Sequence, residues 1–258
     1  MGKIRPGLVS ITFRQLSAQG VVDLVRQAGF AGIEWGGDLH VPHGNLEEAG
    51  RVAAMTTAAG LEVAAYGSYY RVGNSENDGL SFENVLKTAV ALNAPLIRVW
   101  AGIHASQQAD SSYRKWVTEE CRRVSGLALE RGIQVACEYH GGTLTDKNNS
   151  AIQLMREVDH PNFYSLWQPP NGFGLPVCQE SLEGIYPWLT NVHVFHWWPD
   201  ASKRLPLLDG RERWVPYLKR IAEKEGDRFA LLEFVTGDDL EAFLRDAETL
   251  KTWLAELA

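Results

Sequence analysis

The sequence predicts an α/β protein folded as a (β/α)8 barrel, a TIM barrel, built as one domain over residues 1–258. Three observations predict it. Eight short, β-rich apolar runs alternate with eight amphipathic stretches along the whole chain, and parallel strands need such helical crossovers. The length of 258 residues matches the ~250 that one such barrel uses. The doubly wound open sheet is the alternative, and the chain has neither a GxGxxG between strand and helix nor a P-loop to support it.

The predicted strands are Gly7–Thr12, Ala31–Trp35, Leu61–Tyr66, Leu96–Trp100, Ile133–Glu138, Phe163–Gln168, Asn191–Phe195 and Phe229–Phe234. Each has strand length and is bounded by turn or helix signals. Between them, Val21, Val22, Leu24 and Val25 share a helical face that stops before Gly29. Leu46–Ala59 stops at Gly60, and Phe82, Val85, Leu86, Ala89 and Val90 repeat at helical spacing before Pro95. Helices follow over Ser112–Arg131, Ala151–Val158, Glu180–Tyr186, Trp214–Glu225 and Asp239–Leu257. Pro216 then falls in the first turn of its helix, where proline is tolerated.

Composition narrows the function classes. A hydrophobic fraction of 45% with 22% charged residues describes a folded, soluble protein. No apolar run reaches the roughly 20 residues that cross a bilayer, and MGKIRPGLVSITF lacks the apolar core of a signal peptide. A cytoplasmic location without membrane association is expected. The net charge of −7 disfavours a broad phosphate-binding surface, so nucleic acid is not an expected partner. Cys121, Cys137 and Cys178 form no CxxC pair and are expected as reduced thiols. Helix faces carrying Trp188 and Trp253 leave room for an interface, but nothing specifies an oligomeric state.

Chemistry belongs where barrel strands end, and the last four strands each bring a polar residue there: Glu138, Gln168, His193 and Glu233. Strand alternation puts Glu138 on the face of Ala136, Glu233 on that of Leu231 and Gln168 on that of Leu166, all inward. A buried carboxylate needs a partner, a proton or a metal. Carboxylates with one imidazole suit Mn2+, Mg2+, Co2+ or Zn2+.

Several segments resemble the xylose-isomerase-like TIM-barrel superfamily, which holds sugar epimerases, isomerases, an inosose dehydratase and endonuclease IV. They are GIEWGGDLHVP at 32–42, IRVWAG at 97–102, CEYHGGTLTD at 137–146, NVHVFHWW at 191–198, RLPLLDG at 204–210 and LLEF at 231–234. The resemblance implies a divalent metal held by Glu, Asp, His and Glu on strands five to eight. Glu138, His193 and Glu233 match, and Gln168 stands where the family has Asp, a neutral ligand that implies weaker metal binding. It also implies that Glu138 and Glu233 accept and donate the proton in an enediolate reaction. Proton removal beside a carbonyl needs such a base and an electrophile for the oxyanion.

Substrate contacts are expected from Glu34 at the end of strand two, His40 in the next loop, His140, His196 and Arg204. His196 is also the alternative to His193 as ligand, although it breaks strand parity. Arg98 is a substrate contact or an ion-pair partner inside the barrel. The reading is a metal-dependent isomerase or epimerase of a small sugar or sugar-like polyol ketone. A dehydratase on the same barrel begins with the same proton abstraction. A non-catalytic sugar-binding barrel is the other alternative, and Gln168 is the residue in its favour.

Overall fold

A computed structural model describes residues 2–257. Eight parallel strands close into a barrel in sequence order, with β8 paired back onto β1. They are β1 (Ile4–Val9), β2 (Gly32–Gly36), β3 (Glu62–Arg71), β4 (Leu96–Trp100), β5 (Gln134–Glu138), β6 (Phe163–Trp167), β7 (Leu189–Val194) and β8 (Arg228–Leu232). The helices between them are α1 (Ala18–Gln27), α2 (Leu46–Ala58), α3 (Phe82–Ala91), α4 (Ser111–Leu129), α5 (Asn148–Val158), α6 (Leu175–Ile185), α7 (Arg211–Ala222) and α8 (Leu240–Ala255). Closure leaves no strand edge exposed.

The helices start where side chains satisfy their free N–H groups. Ser17, Asn45, Ser81, Asp110 and Asp239 each accept a backbone N–H from the first turn. Period-two alternation divides the core. Ile33, Trp35, Ile97, Val99, Val135 and Cys137 point outward and pack under the helices. Inside the barrel sit two small layers, one of Ala65, Leu96, Ala136 and Leu166, the other of Val9, Ile11, Ala64, Phe229 and Leu231. All three cysteines are buried and unpaired.

Four details depart from expectation. Helix α6 begins at Leu175 rather than Glu180, because Pro176 sits in its first turn, where its missing N–H costs nothing. Helix α7 begins at Arg211, which puts Pro216 in its interior. The residue four earlier, Glu212, is solvent-exposed. Trp253, read as a candidate interface residue, is 1% exposed and packs into the core beneath α8. Finally, β3 runs past Tyr66 to Arg71, with a slip in its pairing to β4 between Gly67 and Tyr70. No helix among the described residues is long and apolar enough to cross a membrane.

Candidate active site

The inward side chains at the carboxyl end of the strands form one buried polar network. Glu34 from β2, Arg98 from β4, Glu138 from β5 and His193 from β7 are all at most 2% exposed. Charges so deep in a barrel persist only when paired, and here the pairing is dense. Arg98 Nε donates to Glu34 Oε1 at 2.7 Å and Arg98 Nη1 to Glu138 Oε2 at 2.6 Å. The Trp100 indole N–H donates to the same Glu138 oxygen. His193 Nε2 lies 3.1 Å from Glu34 Oε2. Gly67 makes room for this, since a Cβ there would lie 2.7 Å from Glu34 Oε1 and 2.8 Å from Arg98 Nη2.

The other side of His193 faces Glu138 and Glu233. Its Nδ1 is 3.5 Å from both Glu138 Oε1 and Glu233 Oε2, and it has no hydrogen-bond partner. One donor atom from each of Glu138, His193 and Glu233 lies within 4.8 Å of the others. Gln168, one residue past β6, is buried, and its Oε1 is also without a partner. A buried nitrogen left without a partner beside two carboxylates costs free energy unless something positive joins them. Glu34 accepting from Nε2–H fixes the tautomer that leaves Nδ1 free, as in carboxylate-backed histidine ligands. With His193 neutral, the three glutamates less Arg98 leave a buried charge of minus two, the complement of a divalent cation. The donor set therefore fits the metal that the sequence implied.

Burial alone would lower the His193 pKa, but Glu233 and Glu34 outweigh it and raise it. Burial alone would raise the Glu138 pKa, but Arg98 and then His193 hold its carboxyl well below the usual range.

The remaining expected substrate contacts fare differently. Both Glu34 oxygens are engaged inside the network, where they support Arg98 and His193. His40 is likewise engaged within the protein. Its Nδ1 bonds Ser10 Oγ at 3.1 Å and its Nε2 the Leu16 carbonyl at 3.1 Å, so it ties the β1–α1 loop to the β2–α2 loop. Arg204 is held by Asp238, 2.6 Å away, with its guanidinium over the Phe234 ring. His140 stays at the rim, its ring 4.7 Å from that of Trp100. His196 is half-buried against Gly210, outside the Glu138–His193–Glu233 cluster, and burial lowers its pKa. Arg98 is the ion-pair partner inside the barrel. Trp100, Gly67 and Tyr69 escaped the sequence reading. Trp100 had a usable signal, because it shares strand parity with Arg98 and ends its strand.

Fold and site together define a family. The chain belongs to the Xylose isomerase-like TIM barrel family, whose model matches residues 22–255. Among curated proteins it is similar to the 3-dehydroshikimate dehydratase of Bacillus anthracis, 27% identical over 259 residues and covering 88% of this chain and 89% of the relative. Among solved structures it resembles a probable 3-DHS dehydratase from Bacillus anthracis, with a TM-score of 0.79, 21% identity and coverage of 96% and 99%. A Xylose isomerase-like TIM barrel protein from Mycobacterium smegmatis, solved in complex with magnesium, has a TM-score of 0.74 at 17% identity, with 100% of both chains covered.

Proposed function

We propose that this chain is a divalent-metal enzyme that removes a proton beside the carbonyl of a small hydroxylated ketone and completes the reaction as a dehydratase. The observation that carries the first half is the convergence of Glu138, His193 Nδ1 and Glu233 with no internal donor to satisfy the nitrogen. The similarity to a 3-dehydroshikimate dehydratase over most of both chains supports the second half. Glu138, His193 and Glu233 would hold the ion, with Gln168 Oε1 as a neutral fourth donor. When bound, a divalent cation polarises a carbonyl oxygen and stabilises the negative charge that develops as the neighbouring C–H bond breaks.

The two glutamates are not equivalent. Glu138 has one oxygen pinned by Arg98 and Trp100, which suits a fixed anionic ligand. Neither Glu233 oxygen accepts a hydrogen bond among the described residues, so Glu233 is the proton acceptor. In the dehydration, Glu233 takes the α proton, the C–H electron pair becomes the new C=C bond, and the β C–O bond breaks. The departing hydroxide takes that proton from Glu233 and leaves as water, which returns Glu233 to its carboxylate form. A sugar isomerase or epimerase, the reading that the sequence motifs favour, shares the first step and returns the proton to carbon.

Incubation with Mn2+ and 3-dehydroshikimate, and separately with D-fructose and D-psicose in D2O, tests the proposal. The expected result is loss of water from 3-dehydroshikimate. Deuterium entering a ketose, with 3-dehydroshikimate untouched, would replace the dehydratase with an isomerase. Neither reaction occurring would favour the sugar-binding reading.

A further inference from the structure

Strand β3 pairs with β4 on both sides of a slip in register, Tyr66 and Gly67 before it and Tyr70 and Arg71 after it. In the slip between Gly67 and Tyr70, Tyr69 adopts φ 55°. That is left-handed backbone, which a bulky aromatic residue adopts only when its surroundings impose it, and such outliers cluster at functional sites. The excursion sorts two adjacent tyrosines. Tyr70 turns outward and packs its ring 5.2 Å from Phe82 in the helix–barrel core. Tyr69 turns over the barrel mouth. Its ring stands edge-on to Trp100 at 5.2 Å, and the Arg98 guanidinium lies 4.8 Å from the ring centroid. Arg98 and Trp100 are the two groups that hold Glu138, so Tyr69 sits directly on the network that sets the site.

Its hydroxyl lies near the Arg14 guanidinium without forming a hydrogen bond to it. Tyr69 Oη is buried and makes no hydrogen bond, which few native buried polar groups tolerate. A phenol with an ordinary pKa near ~10 is protonated at neutral pH and offers an O–H. Glu34, Glu138 and Glu233 are acceptors, while Arg98 Nε, Arg98 Nη1 and Trp100 Nε1 are already committed to glutamates, so the Tyr69 hydroxyl adds a free donor to the network.

We propose that Tyr69 is a catalytic residue whose hydroxyl donates a hydrogen bond to an oxygen of the bound substrate. This rests on the function proposed above for the identity of that substrate, a hydroxylated ketone. The backbone strain and the orphaned hydroxyl are both held in the free protein, and the substrate oxygen relieves the second. Structure and function then make opposite demands on one atom. Removing the hydroxyl harms turnover while leaving the fold no weaker.

The Tyr69→Phe variant separates the two. It keeps the ring against Trp100 and Arg98 and removes only the oxygen. The urea midpoint without ligand is expected to stay the same or rise, and Mn2+ affinity to stay within about twofold of wild type. Turnover of 3-dehydroshikimate is expected to fall about 100-fold in kcat/KM, as for removal of one donor from a site where charge develops. A lowered urea midpoint shows that the hydroxyl serves the fold and overturns the proposal, as does unchanged kcat/KM. If the wild-type protein turns over neither 3-dehydroshikimate nor a ketose, the proposed function fails and calorimetric binding of shikimate decides Tyr69. Weaker shikimate binding by the variant at an undiminished urea midpoint supports it, and equal binding or none by either protein overturns it.

Discussion

At the scale of single residues, the division of labour between Glu138 and Glu233 is the most exposed part of the mechanism. Both change to glutamine without loss of volume, so the two variants isolate charge and proton transfer. Glu233→Gln should lower turnover by about 10²–10⁴-fold, the usual contribution of a positioned acid–base group, and should also weaken Mn2+ binding, because one anionic ligand is lost. Glu138→Gln should weaken Mn2+ binding more strongly, because it removes the anionic ligand that Arg98 and Trp100 orient. Titration calorimetry beside steady-state rates checks both, and equal metal affinity in the two variants would remove the distinction. Gln168 is where this chain departs from the pattern it resembles. If Gln168 is the fourth donor, Gln168→Asp adds a third carboxylate to the proposed metal site and should tighten Mn2+ binding by about tenfold or more, since ligand charge sets the affinity of oxygen-rich sites. No gain by calorimetry would mean that Gln168 Oε1 lies off the metal position.

At the scale of elements, β3 and α8 each carry a test. The glycine of β3 that faces the network, Gly67, has no room for a methyl group, which would meet Glu34 Oε1 at 2.7 Å. Both neighbours are held at both ends by charge-assisted bonds, so neither yields cheaply. Gly67→Ala should lower stability by about 1–3 kcal/mol, read from urea denaturation, and should weaken metal binding with it through the displaced Glu34–His193 contact. Helix α8 carries Asp246, 5% exposed, whose Oδ1 accepts the Leu207 N–H at 2.9 Å. Burial raises its pKa from 3.8 to about 6, although the Leu207 bond pulls the other way. Between those values the folded protein holds a proton that the unfolded chain has released. Stability from this group is therefore full below the unfolded pKa and lost as pH rises through the folded one, by about 3 kcal/mol. Asp246→Asn keeps an acceptor for Leu207 and removes the titration. Its urea stability should exceed that of wild type at pH 8 and converge with it near pH 4, and a pH-independent difference would refute the assignment.

At the scale of the whole molecule, the barrel interior concentrates charge that only mutual pairing makes tolerable. Arg98 is shared by Glu34 and Glu138, so Arg98→Met strands two buried carboxylates at once. It should cost roughly 3–5 kcal/mol in urea, far more than any of the exposed ion pairs around the helices. Metal should act in the opposite direction. A ligand bound by the native state alone at a hundred times its Kd adds about 2.7 kcal/mol, so saturating Mn2+ should raise the thermal midpoint and EDTA should reverse it. An Mn2+-independent midpoint would count against a metal site formed by folding.

How much of this was legible beforehand follows from which interactions are local. Apolar period, glycine stops and the Ser, Asn and Asp caps act within a few residues, so the sequence alone determined eight strands, eight helices and their closure into a barrel. Strand parity is equally local, which is why Glu138 and Glu233 read as inward-facing from the sequence alone. Parity says which way a side chain points and not what it meets. Glu34 looked free to bind substrate because Arg98, 64 residues away, and His193, 159 residues away, are brought to it only by closure. His40 was consumed in the same way by Ser10 and Leu16 across a loop boundary. Tyr69 was hidden for a sharper reason. Its inward turn depends on a slip against β4 that no period in the sequence of β3 records. Local physics fixed which residues reach the mouth of the barrel, and long-range pairing decided which of them remain free to act there.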